Sequence, residues 1–418
     1  MGLIRATSLV VGIIVGASIF VQPSEVSRHV SSIPAMFAVW LGAGVMSLAG
    51  ALVCAELAAA FPKTGGIYVY LKETMSPQVA FLWGWAMFWS AHSGIIAAVS
   101  VVFARYVGYF APLGDRGTRA VAISAILTLS AINYIGVRAG STVQTAFTAA
   151  KLLAIGAILV AVVVMVPGHH PAALSSAATQ PSIREFLLGI SAGLFTFGGW
   201  HMVTYAAGET RDPEKTIPRA LLIGMLIVTV CYLALNAAYL RVLPLETVLK
   251  STRVAADAAR VVVGQSGGAI VSALVIVSAF GGLSGSVLAG PRVYYAAARD
   301  GLAFRAMGAE HPLFHTPHIA ILAQALWASV LVVTGTYRTL FTRVIYTEFL
   351  FFGLAALGLL RMRRRLRPAP LLFLPACALV VINQIYADPK ESSIGLLLVA
   401  AGLPVYYFLK KPNKIANY

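Results

Sequence analysis

Residues 12–23 read Gly-Ile-Ile-Val-Gly-Ala-Ser-Ile-Phe-Val-Gln-Pro. They interrupt an apolar run that is long enough to cross a bilayer as a helix. A second interruption, Phe195-Thr196-Phe197-Gly198-Gly199-Trp200, falls in the sixth expected span. Backbone that leaves helical geometry at membrane depth is tolerated only where it is buried in protein or lines a cavity. Its freed N–H and C=O groups then become ligands, with half-helix N-termini facing anions and C-terminal ends facing cations. A zwitterion needs both. Interrupted helices at matching positions of two halves of a chain point to a transporter's substrate site. The competing reading is that Gly16 and Ala17 merely let two helices pack closely.

The composition fixes the class. Of the 418 residues 59% are hydrophobic and 11% are charged, with a mean hydropathy of +0.83. A soluble domain carries roughly a quarter charged residues. Apolar runs of about 20 residues recur along the whole chain, each long enough to span. Spans are expected near residues 6–28, 34–60, 78–110, 119–137, 142–166, 184–208, 216–241, 264–296, 318–336, 339–360, 369–387 and 392–409. This is an all-α polytopic membrane protein of about 12 transmembrane helices, the first of them retained rather than cleaved as a signal peptide. Spans one to five (1–167) and six to ten (168–360) form two inverted halves, and 361–418 carries a basic loop and two peripheral helices.

The net charge of +16 is an orientation signal, not a nucleic-acid footprint. About 18 of the 31 Lys and Arg, among them Arg5, Lys63, Lys72, Arg138, Arg211 and the run 361–367, fall on the side of the N-terminus. The positive-inside rule then places both termini in the cytoplasm, with membrane lipids as neighbours of the basic loops. Cys54, Cys231 and Cys377 fall inside spans and read as core thiols. His169-His170 has no third ligand nearby, so no metal is expected. No nucleophile–base pair or phosphate-cradling loop occurs, so neither enzyme chemistry nor a cofactor is expected.

Further motifs carry a resemblance. Ala55-Glu56-Leu57 precedes Phe61-Pro62-Lys63-Thr64-Gly65-Gly66-Ile67-Tyr68-Val69-Tyr70. Phe147-Thr148-Ala149-Ala150-Lys151-Leu152-Leu153 lies in the fifth span and Phe280-Gly281-Gly282-Leu283-Ser284-Gly285-Ser286 in the eighth. In this order and on these spans the chain resembles the amino acid–polyamine–organocation superfamily, and within it the L-type amino acid transporter branch. The resemblance implies a leucine-transporter-like 5+5 inverted repeat and alternating access to one central site. It also implies roles residue by residue. Backbone amides of Gly16, Ala17, Ser18 and Ile19 would bind the substrate α-carboxylate, without a buried cation. The carbonyls of Ile14, Phe195, Thr196 and Gly198 would face the α-ammonium, and the Phe195 ring would gate the site or simply pack. Ser18 stands where the family has glycine, Thr196 where it has a small apolar residue, and His201 where an Asn is common.

Lys151 is a lone ammonium about nine residues into its span, too deep to reach the interface easily. An intramembrane charge of this kind has a partner or a function. In sodium-independent relatives the matching lysine lies where sodium sits in sodium-coupled ones, linking the first span to the eighth, with Ser286 as its candidate partner. It fits exchange and proton symport alike. Glu348, beside Phe349 in the tenth span, favours a cationic or polar substrate, binds a proton, or pairs with Arg343. Glu56 and Glu209 read as gate or loop ion pairs, and His92 as a satisfied core histidine.

The expected function is sodium-independent exchange of amino acids, neutral ones first. The alternative is a proton-coupled permease for cationic amino acids or polyamines. A nutrient-sensing receptor and a channel are the readings from other classes. In eukaryotic exchangers of the branch a cysteine after the third span joins an ancillary glycoprotein. The matching loop here, Ala111-Pro112-Leu113-Gly114-Asp115-Arg116-Gly117, has none. The resemblance thus implies a stand-alone protein of a bacterial-type inner membrane with no disulfide-linked subunit.

Overall fold

The computed structural model describes residues 1–63, 65–135, 141–165, 181–362 and 367–410, and the regular structure among them is helical. Thr64, Arg138, the His169-His170 pair, Arg363, Arg364, Arg365, Lys411 and Lys414 lie outside the described residues, as do the side chains of Phe147, Ala150 and Glu209.

The first span is split into α1 (Leu3–Ile14) and α2 (Gln22–His29). α3 (Ile33–Ala60) and the short α4 (Ile67–Thr74) follow. The third span combines α5 (Pro77–Ala86), a π-helical turn at Met87–Ala91 and α6 (His92–Val107). Next come α7 (Gly114–Ile135) and α8 (Ser141–Met165). The sixth span is α9 (Ile183–Phe197) continued after a break by the 3-10 helix Trp200–Glu209. α10 (Pro213–Val242) leads into α11 (Leu245–Lys250) and α12 (Val254–Val263). α13 (Gln265–Arg299), α14 (His318–Thr334), α15 (Tyr337–Met362), α16 (Pro368–Ala387), α17 (Pro389–Ala400) and α18 (Gly402–Lys410) complete the order.

Nine helices among the described residues are long and apolar enough to cross a membrane. The shorter apolar helices Leu3–Ile14, Lys151–Met165 and His318–Thr334 lie where the first, fifth and ninth spans are expected. Leu153, Val230, Leu326 and Leu397 are each at least 65% exposed. An outer surface this apolar is what a bilayer covers. The chain is an all-α polytopic membrane protein.

Helix starts follow local chemistry. Ser32, Ser76 and Ser182 accept hydrogen bonds from the backbone N–H groups of Ala35, Val79 and Glu185 at 3.2–3.3 Å. Each thereby satisfies a donor that a helix start leaves orphaned. Gly65 and Gly66 take φ of 128° and 53°, so the Pro-Lys-Thr-Gly-Gly turn needs glycine. Hydropathy did not anticipate α4, α11 and α12, because 8, 6 and 10 residues are too few to register as spans. Around the two breaks, α1 packs on α8 and α10, α2 on α9, and α6 on α13 and α15. The two interrupted helices thus pack on each other, through α2 and α9, and on the intact α8 and α10.

Candidate functional site

Both breaks are present. α1 stops at Ile14, the chain passes through Val15, Gly16 and Ala17, and a 3-10 turn at Ser18–Phe20 leads into α2. The Gly16 N–H turns back onto the Ile14 carbonyl at 2.6 Å, instead of reaching Gly12 one helical turn away. The amides of Ala17, Ser18 and Ile19 donate to no backbone carbonyl among the described residues. In the sixth span, α9 ends at Phe197 and the Gly198 N–H folds onto the Phe195 carbonyl at 3.2 Å. Gly199 has φ of 96°. A Cβ built on it would lie 2.5 Å from Ile13 Cγ2. Glycine therefore supplies both the turn and the close approach to α1.

One side chain joins the two breaks. The Tyr232 hydroxyl, on α10, lies 2.8 Å from the Ile14 carbonyl and 3.0 Å from the Thr196 carbonyl. Its ring is fully buried between Trp40 and Phe197, at centroid distances of 6.0 and 4.9 Å. Lys151 reaches the first break from α8, its ammonium donating to the carbonyls of Gly12 and Val15 at 3.2 Å each. Ser286 takes a different partner from the expected one. Its hydroxyl donates to the Gly282 carbonyl at 3.2 Å, while its own carbonyl accepts from His92 Nε2 at 2.8 Å.

The breaks open onto one cavity of about 600 Å³, its mouth included. Ile14, Gly16, Ala17 and Ser18 line it from the first span and Phe195, Thr196 and Gly198 from the sixth. Ser286 and Glu348 line it from α13 and α15, and Ile95, Val99, Val344 and Ile345 supply hydrocarbon wall. Glu348 is 2% exposed, and its Oε1 has no hydrogen-bond partner among the described residues. Three expected residues stand off the cavity. Ile19 is buried in the core. Phe349 packs on Phe352 and Phe373 at 5.7 and 6.0 Å. Lys151 lies behind the break it holds.

The arrangement has a counterpart in known proteins. The amino acid permease family model matches residues 1–402. The chain belongs to the amino acid permease family. It is 33% identical to the serine/threonine exchanger SteT of Bacillus subtilis (strain 168), over 98% of this chain and 97% of that protein. It is 31% identical to the large neutral amino acids transporter small subunit 2 of Oryctolagus cuniculus, over 97% of this chain and 79% of the relative. Identity to the human cystine/glutamate transporter is 30%, over 98% and 86% of the two chains. These relatives are transporters.

Beside the cavity, the permease carries a polar latch around Phe195 that sequence reasoning missed. Above Phe195, Gln22 of α2 donates to the Ala192 carbonyl at 2.8 Å and accepts from the Tyr337 hydroxyl at 2.7 Å. Arg338 donates through Nε and Nη2 to Glu25 Oε2, at 3.0 and 2.9 Å. The Glu25 side chain is only 8% exposed. The Arg105 guanidinium stands 4.9 Å from the Tyr337 ring centroid. Phe195 meets Tyr337 and Phe341 at 6.2 and 5.5 Å. The ring is therefore both cavity wall and the underside of this latch.

Just beyond α13, Asp300 Oδ2 accepts hydrogen bonds from Lys72 and Tyr68 of α4 at 2.9 and 2.8 Å. Partial burial pushes the Asp300 carboxyl up, but the bonds from Lys72 and Tyr68 and the Lys72 charge outweigh it and hold the group below its ordinary range. Glu56 pairs with Arg367 at 3.1 Å. The π-helical turn leaves Ser90 3.1 Å from the Thr347 hydroxyl, one residue before Glu348. Such turns gather at functional sites.

Proposed function

We propose that this chain exchanges amino acids, neutral ones first, across a membrane by alternating access and without sodium. One observation carries the reading. Two helices break at the same cavity, which the segments carrying the free amides of Ala17 and Ser18 and the carbonyl ends of α1 and α9 line together. The amides suit an α-carboxylate and the carbonyl ends an α-ammonium, as the helix dipoles require. The Thr196 carbonyl keeps a second lone pair beyond the one that meets Tyr232, whereas the Ile14 carbonyl already meets both Tyr232 and the Gly16 N–H. The Lys151 ammonium already supplies a fixed cation at the C-terminal end of α1, which supports independence from sodium.

The same reading includes 12 spans in two inverted halves bounded near residues 167 and 360, with both termini cytoplasmic in a bacterial inner membrane. It includes no chemical conversion of the substrate, and a chain that works without a disulfide-linked subunit. The loop 111–117 after the third span has no cysteine, and Cys54, Cys231 and Cys377 all lie within spanning helices, which is consistent with the last point. A second reading, proton-coupled uptake of cationic amino acids or polyamines, rests on Glu348, an acid in the cavity wall that a cation or a proton would neutralise.

Radiolabelled uptake into proteoliposomes separates the two. It is run in sodium-free buffer, with and without internal amino acid, and with and without an inward proton gradient. Uptake that requires internal substrate and ignores both ions is the expected result. Uptake into empty vesicles driven by the proton gradient would replace exchange by symport.

A further inference from the structure

A second cavity, of about 460 Å³ with its mouth included, shares no lining residue with the first. Trp85, Phe88 and Trp89 line it from the third span, Tyr294 from α13, and Phe304 and Met307 from the segment beyond α13. No charged side chain lines it, and Phe304 is 45% exposed, so the cavity is reached from outside. Its walls are pinned. The Trp85 indole N–H donates to the Leu398 carbonyl at 2.8 Å. Trp89 packs edge-on against Phe88 and Trp327, at centroid distances of 4.9 and 4.8 Å. Gly84 also lines the cavity, and a Cβ built on it would meet nothing within 4 Å. Close-packed interiors leave few voids of this size, so a pinned, apolar one is a place for a ligand.

Its surroundings name the occupant. One end lies inside the spanning segments Pro77–Val107 and Gln265–Arg299, where the solvent is lipid hydrocarbon. The other end lies at the 3-10 turn Arg305–Gly308, outside either span. Arg305 stands in the sequence between Phe304 and Met307, is exposed, and forms no ion pair among the described residues. Arg299, also exposed, lies 5.8 Å from the Tyr295 ring centroid. Two acids are near. Asp300 is matched by Lys72, and Glu310 accepts from the Tyr295 hydroxyl. Against Lys72, Arg299 and Arg305 they leave the balance positive. An apolar slot at membrane depth beside a surplus cation fits a chain that ends in a phosphate. We propose that this cavity is a binding site for an anionic phospholipid, with one acyl chain among the tryptophans and the phosphate on Arg305. A zwitterionic lipid offers the same chain but brings its own cation to the arginine.

Trp85 and Trp89 make the test direct, because bromine on an acyl chain quenches an indole that it touches. The detergent-purified protein is titrated with chain-brominated phosphatidylglycerol and, separately, with chain-brominated phosphatidylcholine. Phosphatidylglycerol is expected to quench at about fivefold lower concentration, the preference that one arginine near an anionic headgroup sustains. Replacing both indoles, Trp85→Phe with Trp89→Phe, should abolish that difference. Arg305→Gln should bring phosphatidylglycerol to the level of phosphatidylcholine and leave the latter unchanged. Gly84→Leu puts a side chain into the open room and should remove the preferential quenching while elution stays monodisperse. Equal quenching by the two lipids in the wild type overturns the proposal. So does a preference that survives Gly84→Leu, which would place the anion on the basic loops and not in the cavity. The readout needs no transport, so its outcome is independent of the function proposed above.

Discussion

The Lys151 ammonium lies 3.2 Å from the carbonyl oxygen of Val15, the first residue beyond α1. Its second acceptor, the Gly12 carbonyl, is the one that Gly16 would have satisfied had the helix continued. The lysine thus occupies the negative end of a broken helix and closes the bonds that the break opened. Lys151→Ala removes two bonds from a charged donor, each about 1.5–3 kcal/mol, so exchange should fall by about tenfold or more. The assay is counter-flow in proteoliposomes, with monodisperse elution checked in parallel. Wild-type flux in a well-folded variant would remove Lys151 from the transport cycle.

Tyr232 ties the Ile14 and Thr196 carbonyls to one hydroxyl. Tyr232→Phe keeps the ring between Trp40 and Phe197 and deletes only that tie. A hydrogen bond is worth about 1 kcal/mol net, so apparent affinity should weaken by about threefold to tenfold, with little change in the unfolding temperature. Unchanged affinity would mean that the two breaks hold their positions through packing alone.

Glu25 is a buried carboxylate whose ion-pair partner is Arg338. Removing one member of a buried pair leaves an uncompensated charge, at a cost of about 3–5 kcal/mol. Arg338 is partly exposed, so the lower end of that range is expected for Arg338→Gln. Glu25→Gln should be milder, because no buried charge remains. The double variant should recover stability relative to Arg338→Gln alone, which a thermal double-mutant cycle reads directly. Additive losses would show that the pair is not energetically coupled.

The Asp300 tie has a defined pH window. Its carboxyl titrates below the ordinary value of about 3.9, so its contribution is complete above that value and fades as pH falls through the depressed one. Its contribution should therefore be constant between pH 5 and pH 8. Both partners are about two-fifths exposed, so Asp300→Asn should cost less than about 1 kcal/mol. A difference in melting temperature between wild type and Asp300→Asn that changes between pH 5 and pH 8 would contradict this.

The two breaks and Lys151 were legible because each violates a pattern. Gly-Ala-Ser and Gly-Gly interrupt apolar runs, and one ammonium stands among hydrophobic neighbours. The latch was not legible. Glu25 and Arg338 are 313 residues apart, and no local pattern joins them. Gln22 and Tyr337 meet only because α2 and α15 are brought together by the fold. The π-helical turn at Met87–Ala91 was hidden for another reason, since an apolar run has the same hydropathy in either helical winding. Pairing Lys151 with Ser286 followed from a resemblance between spans, whereas the orphaned carbonyls of α1 stand nearer to the lysine.

Gly199 combines two constraints that substitution can separate. Its φ of 96° disfavours any side chain, and a Cβ would collide with Ile13. The backbone strain alone is about 1–3 kcal/mol. Gly199→Ala should therefore lower stability by at least that much and sharply reduce exchange. Adding Ile13→Ala removes the collision but not the strained φ. The double variant should recover part of the stability and less of the transport, because the turn that aims the carbonyls of α9 stays distorted. Full recovery would mean that steric contact with α1 was the whole requirement at this position. No recovery would mean that the left-handed turn itself is what only glycine can provide.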